Sequence, residues 1–91
     1  MSSPDTGEDA LRAQLLRLVV EVGELDDPAR VTDHAHLVRD LGINSMRGLE
    51  LILLCEEELG LAVPEKALYE IHTFGDIVRY ALELRAGGNR P

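Results

Sequence analysis

Apolar residues near the start of the chain recur with the period of one helix face. They stand at i, i+4, i+7 and i+11, which places them in a single stripe along a helix. The stripe consists of Leu11, Leu15, Leu18 and Val22. We predict a helix from about Glu8 to Val22, with acidic residues at its start, where the helix dipole favours them, and Gly23 as its stop.

Three further helical segments follow after a long connection. Residues 46–59 predict a second helix that Gly60 ends, and residues 65–70 a short one. Thr73 precedes Asp76 by three positions, the spacing of a capping box, so the last helix begins there. The connection, residues 24–44, has scattered apolar residues that predict packing against the helices. No β-strand pattern and no repeat stands out.

This pattern predicts an all-α fold, a small four-helix bundle of three longer helices and one short one. A long loop joins the first two helices. We expect residues 8–86 to form one domain, because 91 residues suit a single small core. Residues 1–7 and 87–91 are polar or rich in glycine and are expected to be flexible termini.

Charge and cysteine content limit the classes of function. A net charge of −8 argues against nucleic-acid binding, which needs lysine and arginine to neutralise phosphates, and fits partners with basic patches. The only cysteine, Cys55, cannot form an internal disulfide, so a reducing cytoplasm is expected. The longest apolar stretch, residues 51–55, is too short to span a membrane, and the acidic N-terminus does not resemble a signal peptide.

The second helix carries apolar residues on two faces. On a helical wheel one arc forms the natural core face, and its members are Leu51, Ile52, Cys55 and Leu59. A second arc holds Met46, Leu49 and Leu53, with Glu50, Glu56 and Glu57 on or beside it. The helix is either buried nearly all round or presents an apolar patch ringed by acids for docking other proteins. The three carboxylates favour docking, because a fully buried face would not keep them.

Ser45 lies at the predicted start of this helix and has two interpretations. Either Asn44 or Ser45 suits the N-cap, whose side chain accepts a bond from a free backbone N–H. Alternatively, Ser45 is a site of covalent modification. A phosphodiester there would lie at the positive end of the helix, a location that stabilises an anion by roughly 0.3–1 kcal/mol.

Several motifs in this region resemble those of acyl carrier proteins. The run DLGINSM at residues 40–46 is similar to the family's Asp-Leu-Gly-x-Asp-Ser-Leu, and it is followed by a Glu-Leu pair and an acidic helix end, EEELG, at 56–60. The resemblance continues through Val63-Pro64 and residues 73–76. It spans roughly residues 11–84, nearly the whole predicted domain.

The resemblance implies that Ser45 carries a 4′-phosphopantetheine arm, which a phosphopantetheinyl transferase moves from coenzyme A. The arm's thiol would hold an acyl, aminoacyl or ketide group as a thioester. The carrier itself would do no chemistry and have no catalytic residue. In many members the cargo slips between the helices. Partners would be the transferase and acyl-loading, condensing or tailoring enzymes, which dock through basic patches.

We expect eight residues to take part in that docking: Asn44, Met46, Arg47, Leu49, Glu50, Leu53, Glu56 and Glu57. Three residues here depart from the family pattern. Asn44 replaces the aspartate associated with the transferase and its metal, so loading by a standard transferase is in question. Arg47 replaces a commonly acidic residue and places a positive charge at the head of the docking face. Gly48 lies inside the helix and is expected to allow close approach of the arm, the long loop or a partner.

Three functions therefore stay open. The first is a free-standing acyl carrier protein of polyketide, fatty-acid or other specialised biosynthesis, expected to be a cytoplasmic monomer that binds neither nucleic acid nor membranes. The second is an aminoacyl or peptidyl carrier, although the paired glycines often seen before the serine in that branch are lacking. The third is an unmodified acidic helical interaction module, which Asn44 keeps open.

Two other features are interpreted as structural. His34 and His36 lie in the long loop near acidic residues, but their spacing matches no metal-binding signature, so no metal is expected. Cys55 falls on the core face and is expected to be a buried structural thiol.

Overall fold

The computed structural model describes residues 4–87, and the side chains of residues 7–87. The regular secondary structure of the described chain is helical, with no strand and only one antiparallel bridge, between His36 and Thr73, so the all-α prediction is confirmed. The helices are α1 (Pro4–Gly23), α2 (Ser45–Leu59), α3 (Ala67–Glu70) and α4 (Phe74–Gly87), with a 3-10 turn at Pro28–Arg30. Within residues 4–87, no helix has both the length and the apolar character that crossing a bilayer requires.

The predicted stripe of α1 is its buried face. All four of its residues are at most 4% exposed, and Val19 joins them in the core. The helix begins at Pro4, four residues before the predicted start. Of the expected termini, Pro4–Gly7 lie within α1 and Gly87 within α4, whereas residues 1–3 and 88–91 lie outside the described residues.

The stop of α1 lies one residue later than predicted. Gly23 is still helical, and Glu24 takes the left-handed conformation with φ of 53°. The amide of Glu24 donates to the carbonyl of Glu21 at 3.2 Å, and that of Leu25 to the carbonyl of Val20 at 3.0 Å, as in a Schellman motif. A Cβ at position 23 would lie 3.2 Å from the carbonyl oxygen of Leu41, so glycine there gives the long loop room to pass.

The long connection packs against the helices as predicted, through buried apolar residues. These are Val31, Ala35, Leu37, Leu41 and Ile43. The amide of Leu37 donates to the carbonyl of His72 at 2.9 Å, and the amide of Gly75 to that of Asp33, also at 2.9 Å. The loop is thereby fixed against the start of α4, and this contact sets the position of the residues that precede α2.

The capping box predicted at the start of α4 is confirmed. The amide of Asp76 donates to Thr73 Oγ1 at 3.2 Å, and the amide of Thr73 donates to Asp76 Oδ2 at 3.2 Å. A further backbone bond from His72, at 3.0 Å, is the main cause that lowers the pKa of Asp76 below its usual value. Arg79 also pairs with this carboxylate, at 2.6 Å.

We therefore expect the stability of the domain to depend on the ionisation of Asp76. Because folding lowers its pKa, the ionised form stabilises the fold above the unfolded pKa of about 4, and that stabilisation is lost as the pH falls through the folded value. Asp76→Asn should lower the free energy of unfolding by about 1 kcal/mol at pH 7, and the difference should shrink towards zero near pH 2. Urea unfolding across this range measures it, with exposed Asp26→Asn as the control. If the difference in unfolding free energy between the unaltered chain and Asp76→Asn is unchanged at low pH, the ionised carboxylate of Asp76 is not its source.

Candidate functional site

Asn44, and not Ser45, is the N-cap of α2. Its Oδ1 accepts the amide N–H of Arg47 at 3.0 Å, and its backbone carbonyl accepts that of Gly48 at 2.7 Å. Ser45 is the first residue of the helix and is exposed. Its hydroxyl makes no hydrogen bond to any of the described residues. The cap interpretation thus applies to Asn44 and leaves the Ser45 hydroxyl free.

The turn before α2 holds Ser45 at the surface. Gly42 adopts a left-handed conformation with φ of 69°, which an L side chain would strain. The following residue, Ile43, is buried and donates its amide to the carbonyl of Leu37 at 2.8 Å. The buried Ile43 anchors the chain just before Ser45. The first turn of α2 contains no acidic residue, so its free amides and dipole can stabilise an anion there.

The two apolar faces of α2 differ in exposure. Leu51 and Cys55 are buried, whereas Met46 is 79%, Leu49 37% and Leu53 57% exposed. The alternative that α2 is buried nearly all round is therefore wrong. The exposed arc is flanked by exposed carboxylates, namely those of Glu50, Glu56 and Glu57. We call Met46, Leu49 and Leu53 with these three glutamates the acidic apolar face.

The side chain of Arg47 contacts the end of α1. Its guanidinium donates to the backbone carbonyl of Val22 and lies 3.8 Å from the carboxylate of Glu24. Both partners belong to the C-terminal end of α1, where a cation is favoured by the helix dipole. Arg47 thus connects α1 to α2, and its expected part in docking stays a prediction.

Gly48 makes room for another helix. It is buried, and a Cβ on it would lie 2.7 Å from Cδ2 of Leu68 in α3. The close approach expected from the arm, the long loop or a partner is therefore made by α3. This contact brings α3 against the first half of α2, next to Ser45.

A cavity of about 140 Å³ runs from Ser45 into the core between α2, α3 and α4. Its inner wall is apolar, formed by Leu15, Leu51, Ile52, Cys55, Ile77 and Ala81. Burial raises the pKa of the Cys55 thiol to about 11, so this group is neutral, as expected of a structural cysteine. The cavity requires the helices to be placed relative to one another, so nothing in the local pattern indicates its position or size.

The histidines of the long loop are not arranged as a metal site. Among the side chains of residues 7–87, no cluster of three or more histidine, cysteine, aspartate or glutamate residues is placed to hold a metal ion. His34 is exposed, whereas His36 lines the cavity together with His72 and Tyr80. These three cavity residues are not among those predicted, because they lie far apart in the sequence and meet only in the fold.

The chain is similar to known proteins over most of its length. Residues 13–81 match the family model described as a phosphopantetheine attachment site. The chain is 38% identical to the acyl carrier protein of Caulobacter vibrioides over 71 residues, 77% of this chain and 88% of that protein. It is also 38% identical to that of Phenylobacterium zucineum over 68 residues, 74% of this chain and 84% of that protein.

A longer relative is the mitochondrial acyl carrier protein of Neurospora crassa. The identity is 28% over 75 residues, which are 82% of this chain. The chain spans only 56% of the length of that protein.

Proposed function

The chain belongs to the acyl carrier protein family, whose members are carriers rather than enzymes, and we propose that it carries acyl groups on 4′-phosphopantetheine attached to Ser45. The observation that supports Ser45 is its exposed, unbonded hydroxyl at the first position of α2. Asn44 supplies the cap, so esterifying Ser45 breaks no hydrogen bond of the described fold. A phosphodiester there would gain from the helix dipole.

The residues around Ser45 fit the covalently attached cofactor of the family. When bound, 4′-phosphopantetheine supplies a thiol that holds an acyl group as a thioester. Ser45 supplies the attachment point. The adjacent apolar cavity offers the acyl group an environment with less water than the surface. The cargo we propose is an acyl or ketide intermediate of polyketide, fatty-acid or other specialised biosynthesis.

The acidic apolar face is the surface that we propose for docking. It begins next to Ser45 and extends along α2 as far as Glu57, so an enzyme that binds it is close to the attachment point. The apolar side chains would contact the partner's surface, and the glutamates would attract its basic patches. The partners we propose are a phosphopantetheinyl transferase and acyl-loading, condensing or tailoring enzymes. We place this activity in the cytoplasm, which the single unpaired cysteine favours.

Loading of the purified chain tests this proposal. Incubation with coenzyme A and a broad-specificity transferase should raise the intact mass by one phosphopantetheine group. Mapping the modified peptide should place the group on Ser45. If several transferases give no mass gain, the carrier role is overturned and the unmodified interaction module takes its place.

We expect Asn44→Asp to speed loading by about five- to tenfold. Aspartate caps a helix as well as asparagine does, so the fold should be unchanged. The added carboxylate would restore the charge that the family offers to the transferase and its metal, a contact of the strength of a charge-assisted hydrogen bond. The measurement is kcat/KM of loading. Asn44→Ser, which keeps a cap without the charge, is the matched control and should give no gain; equal rates for all three proteins would discard the idea.

A further inference from the structure

Two histidines from different loops meet at the mouth of the cavity. His36 belongs to the connection before α2 and His72 to the link between α3 and α4, yet their rings stack with centroids 6.4 Å apart and planes at 27°. The amide of His36 donates to Asp40 Oδ2 at 2.7 Å, and that of His72 to Asp76 Oδ2 at 3.0 Å. Both bonds are made by backbone amides. They hold the two residues in place without involving the imidazole rings.

Each ring keeps a hydrogen-bond donor. Nδ1 of His36 accepts the amide N–H of Arg39 at 3.2 Å, so the proton of the neutral ring is on Nε2. That Nε2–H has no acceptor within residues 7–87. The ring of His72 makes no hydrogen bond there either, and a neutral imidazole always carries one N–H. Both rings line the cavity that Ser45 borders.

The lining of the cavity therefore combines two imidazole rings with apolar side chains. Its buried lining residues include Leu51, Ile77 and Ala81, and the buried Cys55 thiol is uncharged. The volume is about 140 Å³. An engineered protein cavity of about 150 Å³ holds benzene, so this space corresponds to about six carbon atoms.

We propose that the cavity selects a short acyl group, of up to about six carbons, with a carbonyl or hydroxyl oxygen close to the thioester. His36 and His72 are the specificity-determining residues, because their N–H groups donate to that oxygen while the hydrocarbon end lies against the apolar wall. A saturated acyl group fills the same space but leaves both donors to water. This inference rests on the proposed function, since the acyl group reaches the cavity on the arm of Ser45.

Cleavage of the thioester by hydroxylamine tests the oxygen preference. The chain is loaded with hexanoyl or 3-hydroxyhexanoyl phosphopantetheine from the corresponding coenzyme A conjugates, and each cleavage rate is divided by that of the free acyl pantetheine. We expect the 3-hydroxy form to be protected about fivefold more than the saturated form, the effect of one ordinary hydrogen bond.

Histidine variants assign that difference to the two rings. His72→Phe keeps an aromatic ring without its N–H and should reduce the ratio between the two acyl groups to near one. His36→Phe should act in the same direction, with its melting temperature measured because it also loses the bond from Arg39. His34→Phe changes an exposed histidine of the same loop outside the cavity lining and should leave the ratio unchanged.

A series from butanoyl to decanoyl tests the length limit on the unaltered chain. Protection should rise up to about six carbons and then stop rising. The inference is overturned if the 3-hydroxy group gives no added protection, if His72→Phe keeps it, or if protection continues to rise through decanoyl. Each of these results leaves the carrier role standing, because it is obtained on loaded protein; failure to load at all would instead overturn the proposed function.

Discussion

Replacing Ser45 by alanine is expected to remove the whole gain of phosphopantetheine mass that the unaltered chain shows. The attachment needs an oxygen nucleophile, and alanine has none. Its neighbours cannot replace it, because Asn44 carries an amide and Met46 a thioether. Intact mass after prolonged incubation with coenzyme A and transferase gives the result directly, and the expected loss is complete rather than partial.

The fold should survive this change, so that the loss can be assigned to the hydroxyl. Ser45 is exposed and its hydroxyl is not bonded within the described chain, while the cap is provided by Asn44. Alanine is also a better helix former than serine. We expect the free energy of unfolding to change by no more than about 0.5 kcal/mol. If Ser45→Ala still gains the mass, another hydroxyl is the attachment site, and peptide mapping will identify it.

The sequence predicts well those structural features that depend only on residues close together in the chain. The stripe of α1 depends only on helical period, and the box of Thr73 and Asp76 depends on a spacing of three residues. Gly60 ends α2 in the left-handed conformation, with φ of 68°, as its position after the helix predicts. In each case the contact that stabilises the feature lies within one or two turns of chain.

Contacts with distant segments are the part of the structure that the sequence pattern does not show. Gly23 is the last helical residue and lies close to Leu41 of the long loop, while the left-handed position is at Glu24. The role of Gly48 depends on Leu68 in α3, and that of Arg47 on the end of α1. None of these partners is visible in a helical wheel.

The candidate site divides in the same way. The local run of residues left Ser45 as either a cap or a modification site, and the family resemblance made it the proposed attachment point. The exposed arc of α2 was predicted from its periodicity and its acids. The cavity and its pair of histidines were not predicted, because side chains from all four helices and from the connections between them form the wall. The resemblance to a family gives the fold that brings those segments together, but the size of the cavity follows only from this chain's own side chains.

Leu53→Asp is expected to lower transfer of the acyl group to a partner enzyme by about 30-fold. Leu53 is 57% exposed and lies near the middle of the acidic apolar face, where a large apolar side chain can act as a binding hot spot worth about 2 kcal/mol. A carboxylate at that position would have to lose its hydration in the interface without a matched partner. The measurement is kcat/KM of a partner enzyme that uses the loaded chain as substrate.

The fold should be almost unaffected by this substitution, because Leu53 contributes little to the core. Prolonged incubation with coenzyme A and transferase should still load Ser45 completely, so that transfer is measured on fully loaded protein. Ala13→Asp adds the same charge at an exposed position of α1, away from the face, and controls for the change in net charge. Transfer lost equally in both variants would mean that overall charge, and not an apolar contact, governs docking. A loss of several kcal/mol in unfolding free energy for Leu53→Asp alone would place Leu53 in the core. A docking role for Leu53 predicts that acyl transfer is lost while stability and complete loading are retained. This combination shows that the substitution affects recognition by the partner enzyme, and neither folding nor attachment of the arm.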